Sequence, residues 1–591
     1  MSQINPGNSR SQKLKKLYKI SRELIHEFGY RYFLRIAFEE LFTQKGKLFS
    51  PDVIPQNIED EFILNYDDLL ENYNLEKNIS QSKIQGFSTL PLFSIVLFVD
   101  KESPLIKKIL KTQIYNNFEF VLVSSSEKHI DSFVSQNNIS NFQKLVVDSP
   151  KIHDIMSVSK ADYFIFLSNF SVLHHDFLFN IVSKINQNFL GDVYYCDEDF
   201  IDKNGKRVNP FFKPDWSLYL LRSFNYIGNS FVIRKQILDK LSNFVLDKNF
   251  HYNLILHCAE ISNKFVHLPV PSCSILKIDS IDQTEVLSQH IQRLGLNAKV
   301  EHGKSLNTLR VHYILENEPK VSIIIPTRNN KSILKRCIDS LENETNYKNF
   351  EIILIDNNTD DDETLEYYNS LDYEIIPYKN PFNFSKMNNL GATKAQGDYI
   401  LCLNDDTKVL EPGWLTEMVS MCKQDDVGVV GAMLLHSNGT VQHAGAVFLK
   451  SGSGFHVFEN IMENEKGVFN LHNVIRDFSA VTGACLLIKK SIFEKIGGYD
   501  DSFDLFYGDA DLCLKVLNNG LHVIYTPFAR LLHEGSTTIK KTSKTFFAIE
   551  NHFSFINKWS YLKQGDPFYN RNLGWNYSIA KLERQMDSII S

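Results

Sequence analysis

Residues 321–330 read VSIIIPTRNN, residues 347–358 YKNFEIILIDNN and residues 397–406 GDYILCLNDD. Each holds an apolar run rich in Ile, Leu and Val that stops in polar or charged residues, the pattern of a strand covered on both faces of a parallel sheet. Between the first two lies SILKRCIDSLENE (332–344), with apolar residues at helical spacing. Strand, helix, strand predicts the α/β class. In such sheets ligands sit beyond the carboxyl ends of the strands. The residues there are Pro326, Thr327, Arg328 and Asn329, then Asp356, Asn357 and Asn358, then Asn404, Asp405 and Asp406. Adjacent carboxylates ending a buried strand are costly unless positive charge pairs with them. A hard divalent cation, Mg²⁺ or Mn²⁺, carrying a diphosphate fits that place.

The same pattern occurs earlier in the chain. FSIVLFVD (93–100) matches VSIIIPTR (321–328), YNNFEFVLVSS (115–125) matches YKNFEIILIDN (347–357), and ADYFIFLSNF (161–170) matches GDYILCLNDD. Further on, FVIRKQIL (231–238) matches LLIKKSIF (486–493), and HLPVP (267–271) matches YTPFA (525–529). The offset grows only in small steps, as loop insertions would produce, which predicts two related α/β domains in tandem. Carrying the offsets across sets Asp356 opposite Ser124, Asp405 and Asp406 opposite Asn169 and Phe170, Asp509 opposite His251, and His533 opposite Ile275. The apolar framework persists while every candidate ligand changes, so the first domain is expected to keep the fold without the chemistry.

One acidic patch in that half stands apart. YYCDEDFIDKNGKRVNPFFKPDWS (194–217) places Asp197, Glu198 and Asp199 after an apolar run. The favoured reading is a structural turn or inter-domain contact in which Lys213 and Arg207 pair the acids; a second metal site is the alternative.

The order PTRN, a strand ending in Asp, FNFSKMNNLGA (382–392), LNDDT (403–407), VTGACLLI (481–488), IGGYD (496–500), GDADLCLK (508–515) and LLHEGS (531–536) resembles the inverting GT-A glycosyltransferases of family 2, and among them the tandem-domain, O-antigen rhamnosyltransferase-like group. The resemblance implies two tandem GT-A-like domains, Rossmann-like folds of the nucleotide-diphospho-sugar transferases, with helical extensions at both ends. The expected divisions are 1–88 for the N-terminal extension and connector, 89–315 for the degenerate domain, 316–540 for the catalytic domain and 541–591 for the C-terminal extension. It further implies a nucleoside diphosphate sugar donor and a glycan or lipid-linked glycan acceptor in a growing bacterial surface polysaccharide.

Site residues follow from the same resemblance. NDD stands for the family's DXD pattern, with Asp406 as metal ligand and Asn404 and Asp405 around the ribose and cation. Asp356 is expected to receive the nucleobase, with Pro326, Thr327 and Arg328 in the same pocket, and Lys386 to reach the diphosphate. Asn388 and Asn389 are expected to shape a loop ahead of a helix running through Gly391. In GDADLCLKVL (508–517) two acids lie two apart, so they cannot share a helix face. The family's ED motif assigns the general base to Asp509, with Gly508 where the family usually has Glu, and leaves Asp511 as a cap or structural partner. His533, ending the LLH strand, is expected to complete the metal shell. Thr482 and Gly483 let a sugar approach the backbone closely.

Composition bounds the rest. At 591 residues with 43% hydrophobic content the chain can bury more than one core, and a formal charge of −7 argues against a nucleic-acid partner. The eight cysteines show no CxxC spacing and several lie inside apolar runs, which predicts buried free thiols rather than zinc sites or disulfides. The stretch MSQINPGNSRSQKLKK lacks the apolar core of a signal peptide, and no run approaches the length of a spanning helix, so the expected location is the cytoplasm. The basic amphipathic segment 11–47 is expected to pack on the neighbouring domain, with peripheral contact to anionic lipid as the alternative. Two rival functions are a sugar nucleotidyltransferase, which would want a glycine-rich basic signature that PTRNNKS lacks, and a non-catalytic glycan-binding or assembly protein.

Overall fold

The computed structural model describes residues 83–100, 113–167, 171–247, 250–276, 282–450, 452–464, 471–535 and 545–573, with Tyr66, Leu69 and Leu70. The amphipathic segment 11–47 and the counterparts Asn169 and Phe170 lie outside the described residues.

The first sheet comprises β1 (Phe93–Phe98), β2 (Phe118–Ser124), β3 (Phe142–Val146), β4 (Tyr163–Leu167), β5 (Ser171–Leu173), β6 (Val193–Ile201), β7 (Arg207–Phe211), β8 (Phe231–Arg234) and β9 (Phe265–Ile275). Its order is β3-β2-β1-β4-β8-β6-β9-β5, with β7 beside β6. A hairpin of β10 (Ala298–His302) and β11 (Leu309–Tyr313) leads to the second half. There β12 (Val321–Thr327), β13 (Phe350–Asp356), β14 (Glu374–Pro377), β15 (Tyr399–Leu403), β16 (Thr407–Val409), β17 (Val427–Leu435) and β18 (Val441–His443) are followed by β19 (Ala446–Phe448), β20 (Gly454–His456), β21 (Arg476–Asp477), β22 (Cys485–Lys489) and β23 (His522–His533). The second sheet runs β14-β13-β12-β15-β22-β17-β23-β16, with β18 beside β17 and β21 beside β23; β19 and β20 pair apart from it.

The two sheets have the same strand order, and their registers agree residue by residue. Phe93 pairs with Phe118 and Tyr163 as Val321 pairs with Phe350 and Tyr399. Tyr163 pairs with Arg234 as Tyr399 pairs with Lys489. Ser171 pairs with Ile275 as Thr407 pairs with His533. These are the equivalences that the sequence repeat predicts. The framework is shared because each central strand is covered on both faces and its side chains alternate between them. On β1, Phe93, Ile95 and Leu97 enter one core while Val96 enters another, and that second core continues through both halves of the chain.

The acidic triplet of β6 is structural. Lys213 Nζ lies 3.0 Å from Glu198, and Arg207 Nε lies 2.5 Å from Asp199. Asp197, fully buried, accepts from the Lys213 backbone N–H at 2.9 Å, contacts His267 Nε2 at 2.8 Å and accepts from Asn570 Nδ2 at 2.9 Å. Each acid thus has a partner within the chain, and Lys213 and Arg207 pair Glu198 and Asp199. Asn570 belongs to the C-terminal segment, so that segment reaches back to the first half. The halves also meet where Ser217 Oγ donates to Asp477 and Tyr219 OH donates to Asp426 at 2.8 Å.

The helix Thr545–Lys558 docks on the second half through charge. Lys558 Nζ sits 2.7 Å from both Asp500 and Asp511, and Trp559 Nε1 donates to Asp511 at 2.9 Å. Burial raises the Asp500 carboxyl, but hydrogen bonds from Lys558 and Ser502 outweigh it and hold the group at about 2. A folded value below the ordinary 3.8 stabilises the fold above that pH and loses the contribution as pH falls toward 2. Because Asp500 is partly exposed, Asp500→Asn is expected to destabilise by only about 1 kcal/mol at pH 5. The gap in urea midpoint should narrow steadily between pH 4 and about 2, where the native carboxyl itself titrates.

Candidate active site

Three neighbouring strands deliver the predicted residues to one end of the second sheet. Thr327 on β12 pairs with Asp356 on β13, and its hydroxyl donates to Asp405 Oδ2 at 2.8 Å just beyond β15. Asp356 Oδ1 accepts from the Thr359 backbone N–H at 3.1 Å and the Tyr368 hydroxyl at 3.3 Å, which holds the loop around a half-buried carboxylate. Pro326 pairs with Ile355. Arg328 is exposed, 3.9 Å from Asp360. Burial pushes the Asp405 carboxyl up to about 6, against the hydrogen bond from Thr327 that lowers it.

β16 and β23 bring His533 to the same place. Thr407 pairs with His533, and His533 Nε2 lies 3.0 Å from Asp406 Oδ1. Burial raises the Asp406 carboxyl, but the adjacent His533 and a backbone hydrogen bond from Gly535 bring it below the ordinary range. Asn404 Nδ2 lies 3.2 Å from His533 Nε2, so the first position of NDD contributes an amide to the histidine. Two cis ligands of an octahedral cation with bonds of about 2.1 Å stand about 3 Å apart, so Asp406 and His533 fit a shared divalent cation. Among the described residues no group of three or more His, Cys, Asp or Glu side chains gathers as a metal cage. Two protein ligands, with diphosphate and water supplying the rest, is how hard cations sit in nucleotide sites.

The helix Gly508–Asn518 carries Asp509 and Asp511 in its first turn, and they diverge as their spacing requires. Asp509 Oδ2 accepts from the Gly483 backbone N–H and Oδ1 from the Ala510 N–H, both at 2.8 Å. Asp511 is fully buried against Lys515 and the C-terminal helix. Gly483 packs closely here: a Cβ would stand 3.0 Å from the Phe384 ring and 3.4 Å from Asp509 Cβ. The next residue, Ala484, accepts from the Asn404 N–H at 3.1 Å, so Asp509 is tied through one short segment to the NDD turn.

Asn388 and Asn389 sit within a helix, Phe384–Ala392, rather than in a loop ahead of one. Asn383 caps it by accepting from the Lys386 N–H at 2.8 Å, which starts the helix earlier than the sequence reading. Lys386 is therefore in the first turn with an exposed side chain. Asn389 binds the IGGYD turn, donating to Tyr499 O at 3.0 Å and accepting from Tyr499 N at 2.9 Å. Gly391 lets the helix pack on β12, since a Cβ would meet Ile324 at 2.5 Å.

Among the described residues, the equivalent positions of the first half differ. His251 is buried with Nε2 3.0 Å from Phe166 O, and burial lowers it to about 4, so it stands neutral where Asp509 stands. Ile275 takes the place of His533 and Ser124 that of Asp356. The sequence reading missed Gln442 and His443. Gln442 contacts His533 at Nδ1, and the Thr482 backbone N–H donates to His443 Nε2 at 3.3 Å. Their one sequence signal is an adjacent polar pair opening the otherwise small and apolar run VQHAGAVF (441–448).

Residues 322–497 match the family model described as glycosyl transferase family 2. The chain is 30% identical over 541 residues to the O-antigen biosynthesis protein RfbC of Myxococcus xanthus, covering 85% of this chain and 42% of that protein. It is 28% identical over 529 residues to the uncharacterized protein y4gI of Sinorhizobium fredii, covering 82% and 58%. It is 25% identical over 243 residues to the GalNAc(5)-diNAcBac-PP-undecaprenol beta-1,3-glucosyltransferase of Campylobacter jejuni, covering 39% and 70%. The chain spans less than two thirds of the length of the first two relatives. With its strand-end acids in one sheet and the family model matched across them, the segment 322–497 belongs to glycosyl transferase family 2.

Proposed function

We propose that the second half transfers a sugar from a nucleoside diphosphate sugar to a glycan or lipid-linked glycan acceptor, with inversion, during assembly of a bacterial surface polysaccharide. The observation that supports it best is the pairing of Asp406 with His533 beside Asp405, with Asp509 joined to the same turn through residues 483 and 484. The relatives named for O-antigen biosynthesis and for glucosyl transfer to an undecaprenol-linked glycan support the acceptor class. Among the described residues no helix is long and apolar enough to cross a membrane.

In this reading Asp356, Pro326 and Arg328 receive the nucleoside, Lys386 extends toward the diphosphate, and Thr327 orients Asp405 toward ribose and cation. Asp406 and His533 hold the divalent cation, which when bound neutralises charge on the departing diphosphate. Asp509 accepts the acceptor's hydroxyl proton as that oxygen bonds to the anomeric carbon. The bond from that carbon to the phosphate oxygen breaks with its electron pair going to the diphosphate. A single displacement of this kind inverts the anomeric centre. The first half, with a neutral buried His251 where the base would be, serves as a scaffold that shares the core of the second.

Asp406→Ala is expected to abolish metal-dependent donor binding. Calorimetry with UDP-, dTDP- and GDP-sugars, with and without Mn²⁺, checks it; equal donor binding by the Asp406→Ala variant and the unsubstituted protein would remove Asp406 from the site.

A further inference from the structure

We infer that Gln442 is a positioning residue that holds His533 with its Nε2 lone pair free for the cation. The inference rests on the metal reading proposed above.

β18 carries a bulge. Leu434 pairs with His443 and Leu435 with Val441, which leaves Gln442 as the extra residue. A bulge breaks the alternation of side chains and re-aims one of them, and bulges recur beside active sites for that reason. β17 ends at Leu435, which pairs with Leu532 on its other side, and just past that end the Gln442 carboxamide reaches His533 on β23.

The contact is two-point, and it fixes the orientation of the amide. Gln442 Nε2 donates to the His533 carbonyl oxygen at 3.3 Å. A carbonyl can only accept, so the amide nitrogen must face it and the amide oxygen must face the ring. Oε1 then accepts from Nδ1, which therefore carries the proton. With the proton held at Nδ1, the nitrogen that faces Asp406 Oδ1, 3.0 Å away, is Nε2, and its lone pair is the one a cation would take. The other tautomer would keep the proton on Nε2 and leave the cation no nitrogen to bind. Space for the amide is kept by Gly535, with φ 58°, where a Cβ would stand 2.7 Å from Gln442 Nε2. An acceptor behind a metal-binding imidazole commonly sets its tautomer and its affinity. Gln442 does so from a strand that the family's motif order does not include.

The test uses the full chain and Mn²⁺ alone, titrated by electron paramagnetic resonance, with ¹⁵N histidine spectra of the metal-free protein. Gln442→Leu is expected to weaken Mn²⁺ binding by about 10–100-fold. It should also shift His533 from the Nδ1–H to the Nε2–H tautomer, which a merely structural role would not do. Gln442→Glu keeps an acceptor facing Nδ1 and should restore both the tautomer and most of the affinity, which separates the effect from misfolding. If His533→Ala loses Mn²⁺ while Gln442→Leu binds it as tightly as the unsubstituted protein, with the Nδ1–H tautomer intact, the role of Gln442 is overturned. If His533→Ala binds Mn²⁺ unchanged, the metal reading itself falls and this inference with it.

Discussion

Replacing Asp509 by Asn is expected to lower the rate of sugar transfer by about 10²–10⁴-fold, the range a positioned general base supplies, while leaving metal-dependent donor binding unchanged. The separation follows from placement. Asp509 is held by the N–H groups of Gly483 and Ala510 and is not among the groups assigned to the nucleotide or cation. Each carboxylate oxygen has a second lone pair, so these bonds orient the base without consuming it. An Asn side chain turns its NH₂ toward one of the two backbone donors, at a stability cost of about 1–3 kcal/mol. Thermal unfolding run beside the kinetics separates that cost from the chemical one. Asp511→Asn gives the contrasting control: it lies two residues away, loses an ion pair with Lys558, and should affect docking of the C-terminal helix more than turnover. Unchanged turnover in Asp509→Asn would take the residue out of the mechanism.

The second large effect is on stability, in the first half. Lys213→Met is expected to destabilise the protein by about 3–5 kcal/mol, because removing one partner of a buried pair strands the other charge. Lys213 is fully buried, its ammonium 3.0 Å from Glu198 and donating at 2.8 Å to the Ile227 carbonyl. Burial raises the Glu198 carboxyl, and the nearby ammonium opposes that rise. Gly228, with φ 79°, packs against the pair so closely that a Cβ would stand 2.5 Å from Glu198 Oε1. The double change Lys213→Met with Glu198→Leu removes both charges and should recover most of the loss, since apolar replacement of a whole buried pair is often neutral. Urea unfolding of the two variants measures the coupling; a single variant as stable as the parent would show the pair to be dispensable.

The fold and the placement of the strand-end acids were legible in the chain because they depend on local pattern. Apolar runs stopping at acids gave the strands and their carboxyl ends, and the internal repeat gave residue equivalences that the registers of Tyr163 with Arg234 and Tyr399 with Lys489 reproduce. The two-residue spacing of Asp509 and Asp511 sufficed to separate their directions, since a helix cannot present both on one face. The eight cysteines are buried and free, as their place in apolar runs predicts.

Other features needed the folded chain, because they join residues distant in sequence and polar groups with no periodic signature. Asn383 could have begun a loop or capped a helix, and only its bond to the Lys386 N–H decides for the cap. Asp511 pairs with Lys558 and Asp197 with Asn570, both from a C-terminal segment whose sequence does not show its destination. Gln442 is clearest: a one-residue bulge turns it toward His533 across the end of β17, and a bulge leaves no mark in a hydrophobic pattern. Burial of apolar surface is set by periodicity along the chain, and so the sequence alone determined the sheets. The direction of a hydrogen bond is set by where two strands end, which only the tertiary structure decided.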